Sequence, residues 1–202
     1  VELDEIRNTA STTVRFDGGE GNDIVSINGV SAQYSESYNP SVEYNDEQFD
    51  QLSYERIGDA SVAISYRDVA VVNDDIATTS LTLNSNSDDT IFIEQGQFSA
   101  NSASVDVLMD SLNKGDINVQ ASSDSSVVFT DSLGVEGDLS IAGLTVSQLQ
   151  GTVHADLLTL NNVSLVGAAD DALSVNIDEV NVNVHSGDIY LNELNDIRLG
   201  AM

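Results

Sequence analysis

Cysteine is absent from the 202 residues, which excludes disulfides and thiolate metal sites. Tryptophan is absent as well, proline occurs once, at Pro40, and aromatic residues make up only 5%. Any core must therefore be aliphatic, and the chain is not a proline-rich stalk. Cations are scarce. One lysine and five arginines stand against 34 acidic residues, a formal charge of −28. Nucleic acid is excluded as a partner, because it demands a Lys/Arg track along the phosphates, and an anionic membrane surface is disfavoured. No apolar run approaches the roughly 20 residues of a membrane-spanning helix, so no membrane insertion is expected. Val1-Glu2-Leu3-Asp4-Glu5 has neither the basic nor the apolar region of a secretory leader. With the missing initiator methionine and the abrupt end at Arg198-Leu199-Gly200-Ala201-Met202, this suggests a segment excised from a longer protein.

The chain is nevertheless 41% hydrophobic, enough to bury a core. Val, Ile, Leu, Thr, Ser, Asn, Asp and Gly dominate, a palette for short strands joined by polar turns. The second half is a ladder of alternating segments: Ile117-Asn118-Val119, Leu139-Ser140-Ile141, Val163-Ser164-Leu165, Leu173-Ser174-Val175, Val180-Asn181-Val182 and Ile189-Tyr190-Leu191. Aliphatics at i and i+2 mark half-buried strands. Gly115-Asp116-Ile117-Asn118-Val119 recurs as Gly137-Asp138-Leu139-Ser140-Ile141, more weakly as Asn161-Asn162-Val163-Ser164-Leu165, and again as Gly187-Asp188-Ile189-Tyr190-Leu191, at spacings of 22, 24 and 26 residues. Repeats of that length signal a stacked architecture. The expected fold is all-β, a right-handed parallel β-helix (β-solenoid), preferred to an antiparallel sandwich because tight hairpin signals are thin; Asn28-Gly29 is the only Asn-Gly pair.

The first half is less regular. Residues 1–30 read as first rungs with a Gly-rich turn, residues 31–58 as an irregular loop or insertion, and residues 59–202 as the continuous solenoid. The 31–58 excursion holds Tyr34, Tyr38, Tyr44 and Tyr54. The stretch 104–112 reads as a strand pair or a short capping helix.

The acidity has two compatible readings: a solvated, self-repelling surface, or carboxylates that bind divalent cations, Ca²⁺ above all. Gly18-Gly19-Glu20-Gly21-Asn22-Asp23-Ile24-Val25-Ser26 fits the nonapeptide of calcium-binding β-rolls, G-G-x-G-x-D-x-U-x. Its glycines allow backbone carbonyls to turn inward and Asp23 adds a charged oxygen, so Gly19, Gly21 and Asp23 are the candidate Ca²⁺ ligands. The plainer alternative is a Gly-rich turn opening a strand, since the next turn, Asn28-Gly29-Val30-Ser31, lacks the pattern. Asp74-Asp75, Asp88-Asp89 and Asp170-Asp171 are read as turn formers, which stacking would align into a cation column. His154 and His185 are isolated, with no metalloprotease spacing. A nucleophile elbow, a P-loop and a dinucleotide fingerprint are missing. Lys114, Arg7, Arg15, Arg56, Arg67 and Arg198 are too scattered for a lyase base. No catalytic residue is assigned, and the expectation is that the chain is not an enzyme. A sugar cleft would want exposed aromatics, which only the Tyr34–Tyr54 stretch could supply.

Taken together, the Asp17–Asp23 turn and the closing run from Val180 to Gly200, with its strand, Gly-Asp, strand, Asn-Asp order, resemble the repetitive β-strand regions of very large bacterial surface and adhesin proteins, in particular filamentous-haemagglutinin-like β-helices. The resemblance spans residues 60–200 in style. It implies a structural or adhesive module at the cell surface, with neighbouring domains of the same protein, end-to-end copies or a surface polysaccharide as partners. A self-assembling filament subunit and a carbohydrate-binding or carbohydrate-active β-helix are the alternatives. The solitary β-roll motif and the tyrosine-bearing stretch depart from that pattern.

Overall fold

A computed structural model describes residues 11–29, 34–56, 61–86, 88–103, 106–184 and 186–200. The fold is all-β, with no α-helix among the described residues. The strands of the first half are β1 (Thr12–Asp17), β2 (Ile24–Ile27), β3 (Tyr34–Tyr44), β4 (Glu47–Arg56), β5 (Val62–Arg67), β6 (Val71–Asp74), β7 (Thr78–Asn84), β8 (Thr90–Glu94), β9 (Gln97–Ala100) and β10 (Val107–Leu108). Those of the second half are β11 (Asp116–Gln120), β12 (Ser126–Phe129), β13 (Leu133–Gly134), β14 (Leu139–Ala142), β15 (Thr145–Gln148), β16 (Val153–Val163), β17 (Leu165–Val166), β18 (Leu173–Val184), β19 (Leu191–Glu193) and β20 (Arg198–Leu199). They form one sheet of twelve strands and one of eight.

In the second half the chain alternates between the sheets, and each pass lies parallel to the one before. β7, β11, β14, β16 and β18 stack in the first sheet, and β8, β12, β15 and β17 in the second. The register follows the aliphatics. Leu81, Ile117, Leu139, Leu158 and Val180 are successive partners, as are Ile91, Val127, Val146 and Val166 in the second sheet. All are buried. Burying each such side chain stabilises by roughly 1.5–3 kcal/mol, so these columns, and not the charges, hold the passes together. The residues between them face outward. Ser37, Thr82, Asn118, Ser140, Thr159 and Asn181 form one continuous polar row across the first sheet.

Two of the four expected repeat copies take a different register. Leu139 pairs with Leu158, not with Val163, and Ile189 bridges to Val166 in the second sheet, whereas Val180 continues the first. True intervals along that column are 22, 19 and 22 residues. Gly, Asp and Asn recur at every corner and align poorly; the inward aliphatic pair sets the register.

The 31–58 stretch, expected to be an irregular excursion, lies within the first sheet over its described residues 34–56. β3 and β4 form an antiparallel hairpin inserted between β5 and β7. Its turn residues Asn45 and Asp46 have φ of 52° and 64°, the left-handed pair of a type I′ hairpin, so a tight turn exists without an Asn-Gly signal. β8 and β9 form a second hairpin in the other sheet, with β9 antiparallel to β10. Beyond both insertions parallel pairing resumes: β1 with β5, and β2 with β6. The 104–112 stretch, where described, supplies β10 and a 3-10 turn at Ser111–Asn113.

Candidate functional site

Beside the inserted β3–β4 hairpin three ionisable side chains meet in the core: Glu36 from β3, Asp74 from β6 and Lys114 from the corner before β11. Lys114 follows the 3-10 turn, whose start is capped by the Asp110 side chain accepting from the Leu112 amide. It precedes Gly115, whose φ is +57° and whose missing Cβ would sit 2.3 Å from the Thr79 carbonyl oxygen. Only glycine combines that conformation with that approach, and the tight corner sends the lysine stem inward. Lys114, the only lysine in the chain, is fully buried.

All three donors of its ammonium are used. Nζ donates to Asp74 Oδ2 at 2.5 Å, to Glu36 Oε2 at 2.8 Å and to the Ile76 carbonyl at 2.9 Å. Glu36 lies on β3 and Asp74 ends β6, both with fully buried side chains. Asp74 is held from its other side, where Oδ1 accepts the Ile76 amide at 3.2 Å. Buried tyrosines lie nearby, and Tyr54 and Tyr66 are close enough to Glu36 and Asp74 to feel their charge. Tyr38, Tyr54 and Tyr66 are each 1% exposed or less, with Tyr38 packed edge-on against Phe98. Their hydroxyls, Glu36 Oε1 and Thr78 Oγ1 meet no hydrogen-bond partner. The Tyr54 hydroxyl stands close enough to Asp74 to feel its charge without reaching hydrogen-bond geometry.

Two carboxylates around one ammonium leave an uncompensated negative charge in a dry interior, which is costly. Burial, reinforced by repulsion from Asp74 and only partly opposed by Lys114, raises the Glu36 pKa well above the ordinary value. Burial works to lower the Lys114 pKa, but the Glu36 and Asp74 carboxylates outweigh it and leave it raised. The consistent state is an ammonium, one carboxylate and one protonated carboxyl, electrically neutral overall.

The residues singled out from sequence are placed elsewhere. Gly19 and Gly21 have φ of +71° and +135°, conformations that glycine adopts and L side chains rarely do. Gly18 abuts the Asp68 carbonyl, 2.0 Å from where its Cβ would lie, and the Ala70 amide donates to the Asp23 carbonyl. The Asp23 carboxylate lies near Gly21. Among the described residues no group of three or more His, Asp or Glu side chains is arranged to hold a metal ion. Neighbouring Asp17 is engaged by Arg67 at 2.6 Å, which lowers the Asp17 pKa.

The acidic pairs do not act as a column. Asp74 belongs to the buried triad, and Asp89 gathers the Thr90 and Ser102 amides and the Ser102 hydroxyl. Asp171 closes a turn with Ala168. Stacking does align other acids: the Asp138 amide donates to Asp116 Oδ1 at 3.0 Å. Burial, then Asp116 and Asp156, raise the Asp138 pKa. His154 is exposed beside Asn176; His185 lies outside the described residues.

The outward face of the first sheet carries a shallow groove of about 500 Å³ lined by Ser35, Ser37, Ser53, Glu55, Thr82 and Asn84 among others. It is rich in hydroxyls and amides. The Tyr34–Tyr54 stretch offers no open aromatic platform for a sugar: Tyr34, Tyr38 and Tyr54 are buried, and Tyr44, 43% exposed, lies beneath Arg15.

No family model, curated protein or solved structure matches this chain.

Proposed function

We propose that the chain is a parallel β-helix serving as a structural and adhesive module of a large extracellular, surface-attached protein. The observation that carries this reading is the in-register parallel stacking of passes of about twenty residues, with aliphatics inward and hydroxyls and amides outward. Such a stack gains length without needing disulfides, because each pass covers the apolar edge of the last. Its terminal strands, β1 and β2 on one side and β19 and β20 on the other, leave sheet edges that neighbouring domains or further copies would cover. The acidic surface keeps a long repetitive protein soluble. Calcium at Gly19, Gly21 and Asp23 belongs to this proposal as a stabilising ion, with backbone carbonyls completing the single carboxylate.

A polysaccharide-binding role is the second reading, favoured by the hydroxyl- and amide-lined groove on the first sheet. Thermal unfolding followed by far-UV circular dichroism, in EDTA and in millimolar Ca²⁺ at matched ionic strength, tests the ion. A β-type spectrum and a higher melting temperature specific to Ca²⁺ support its binding to the folded state; identical melts refute the calcium site. A panel of acidic and neutral polysaccharides tests the rest. Retention without turnover supports adhesion, and turnover of any of them contradicts the non-catalytic reading.

A further inference from the structure

The buried triad is more elaborate than an ion pair requires. We propose that it is a self-acylating site, in which the Lys114 amine and the Asp74 carboxyl condense into an intramolecular amide with loss of water, and Glu36 carries the proton.

Position comes first. Nζ is 2.5 Å from Asp74 Oδ2, and Cγ lies one C–O bond further on, so amine and carbonyl carbon stand at about the near-attack separation of 3–3.5 Å. The Ile76 carbonyl fixes the amine, and the Ile76 amide fixes Asp74 Oδ1. Groups held this way react with effective concentrations far beyond anything in solution. The Ile76 amide is also aimed at the oxygen that becomes the oxyanion when nitrogen adds to Cγ, the arrangement that stabilises tetrahedral intermediates.

The proton balance closes. In the neutral site, moving one proton from the Lys114 ammonium to the Asp74 carboxylate gives a free amine, a neutral acid and a protonated Glu36, still without net charge. Burial works to lower the Lys114 pKa, so desolvation reduces the cost of visiting this neutral form, while the two carboxylates keep the ammonium as the resting state. The amine lone pair then forms the N–Cγ bond. Glu36 accepts the surplus proton from nitrogen through one oxygen and delivers its own to the departing hydroxyl. The C–O bond breaks, water leaves, and Glu36 ends protonated as it began. Glu36 Oε1, buried and without a partner, is the free oxygen this exchange needs. No oxidant, cofactor or second substrate enters.

The product ties the end of β6 to the entrance of β11, spanning 40 residues. It would staple the level where both sheets are interrupted by antiparallel insertions, the place where the parallel stack is least regular. A chain without cysteine has no disulfide to do so.

The test exploits the single lysine. The full chain is folded, verified by its β-type circular dichroism, then denatured completely and digested with a lysine-specific endoprotease. An acylated Lys114 resists cleavage, so the expected product is one uncut chain, lighter than its sequence by one water, with fragment ions joining Asp74 to Lys114. Glu36→Gln should restore cleavage into two pieces and the full mass. Complete cleavage of the folded wild-type protein after Lys114 overturns the proposal. So does a one-water loss that maps to Asp17-Gly18, where a succinimide would form, with Lys114 still cleaved. An uncut Glu36→Gln variant overturns the role given to Glu36.

Discussion

Replacing Lys114 by methionine keeps an unbranched side chain of similar reach and deletes the ammonium that three acceptors share. Glu36 and Asp74 are then left buried without their cation. Breaking a buried charge pair by removing one partner typically costs about 3–5 kcal/mol, and here the cost depends on pH. The folded variant avoids an uncompensated charge in the core only by holding one more proton than wild type, a proton that the unfolded chain releases. The folded state therefore binds more protons than the unfolded one, and stability falls as pH rises. Wild type already keeps one such proton, on Glu36, so the variant differs by one proton. That is about 1.4 kcal/mol per pH unit, roughly 4 kcal/mol between pH 5 and pH 8, a large share of a stability that is typically about 5–15 kcal/mol.

Urea unfolding followed by far-UV circular dichroism at the two pH values measures this directly. The variant should be much less stable than wild type at pH 8, and the gap should narrow by roughly 4 kcal/mol at pH 5. Adding Glu36→Gln and Asp74→Asn should remove the excess slope. If Lys114 is acylated in wild type, the variant also loses a 40-residue loop closure, a pH-independent offset of about 4 kcal/mol. The slope, not the offset, carries the argument. Equal unfolding midpoints for variant and wild type at both pH values would refute the buried triad.

Glu36→Gln alone should flatten the decline in wild-type stability from the ordinary glutamate pKa upward, because its raised pKa makes Glu36 a proton-retaining group in the folded state; an unchanged pH profile would remove that role. Leu139→Ala, fully buried between Ile117 and Leu158, should cost about 2–5 kcal/mol, while the adjacent outward Ser140→Ala should stay within about 0.5 kcal/mol. Equal urea midpoints for these two variants would contradict the stacked register. Sodium chloride should raise the melting temperature, since a charge of −28 repels itself and salt screens it. A melting point that falls with salt would mean that attractive pairs such as Asp17–Arg67 outweigh the repulsion.

Much of the architecture was legible because period-2 alternation is a local signal. Ile117-Asn118-Val119 and Leu139-Ser140-Ile141 were aligned correctly from sequence, and the structure pairs them residue for residue. Copies at 161–165 and 187–191 were misaligned because polar corners look alike, whereas the Leu158/Leu160 and Val180/Val182 pairs that set the register lie within longer strands. The β3–β4 hairpin is hard to read from sequence because Asn45-Asp46 is a less familiar left-handed pair than Asn-Gly, and because a polar, tyrosine-bearing stretch reads as an irregular insertion. The charged site was the least legible part. Glu36, Asp74 and Lys114 come from three distant segments, and a lone lysine in a highly acidic chain suggests a solvated charge. Only the corner at Gly115 and the insertion of both hairpins bring it inward.

The account rests on passes of about twenty residues stacked in parallel and locked near one end by the Lys114 site. Pulling the full chain from its two termini in a single-molecule force experiment tests that most directly. Because each pass contacts only its neighbours, the C-terminal passes should peel away in successive steps of about 70 Å of released contour length, some twenty residues each at roughly 3.5 Å per residue. The β6–β11 level should yield last, and with the amide in place the residues between Asp74 and Lys114 should add no contour length. One abrupt extension releasing the whole chain at once, with no intermediate steps, would contradict the stacked account.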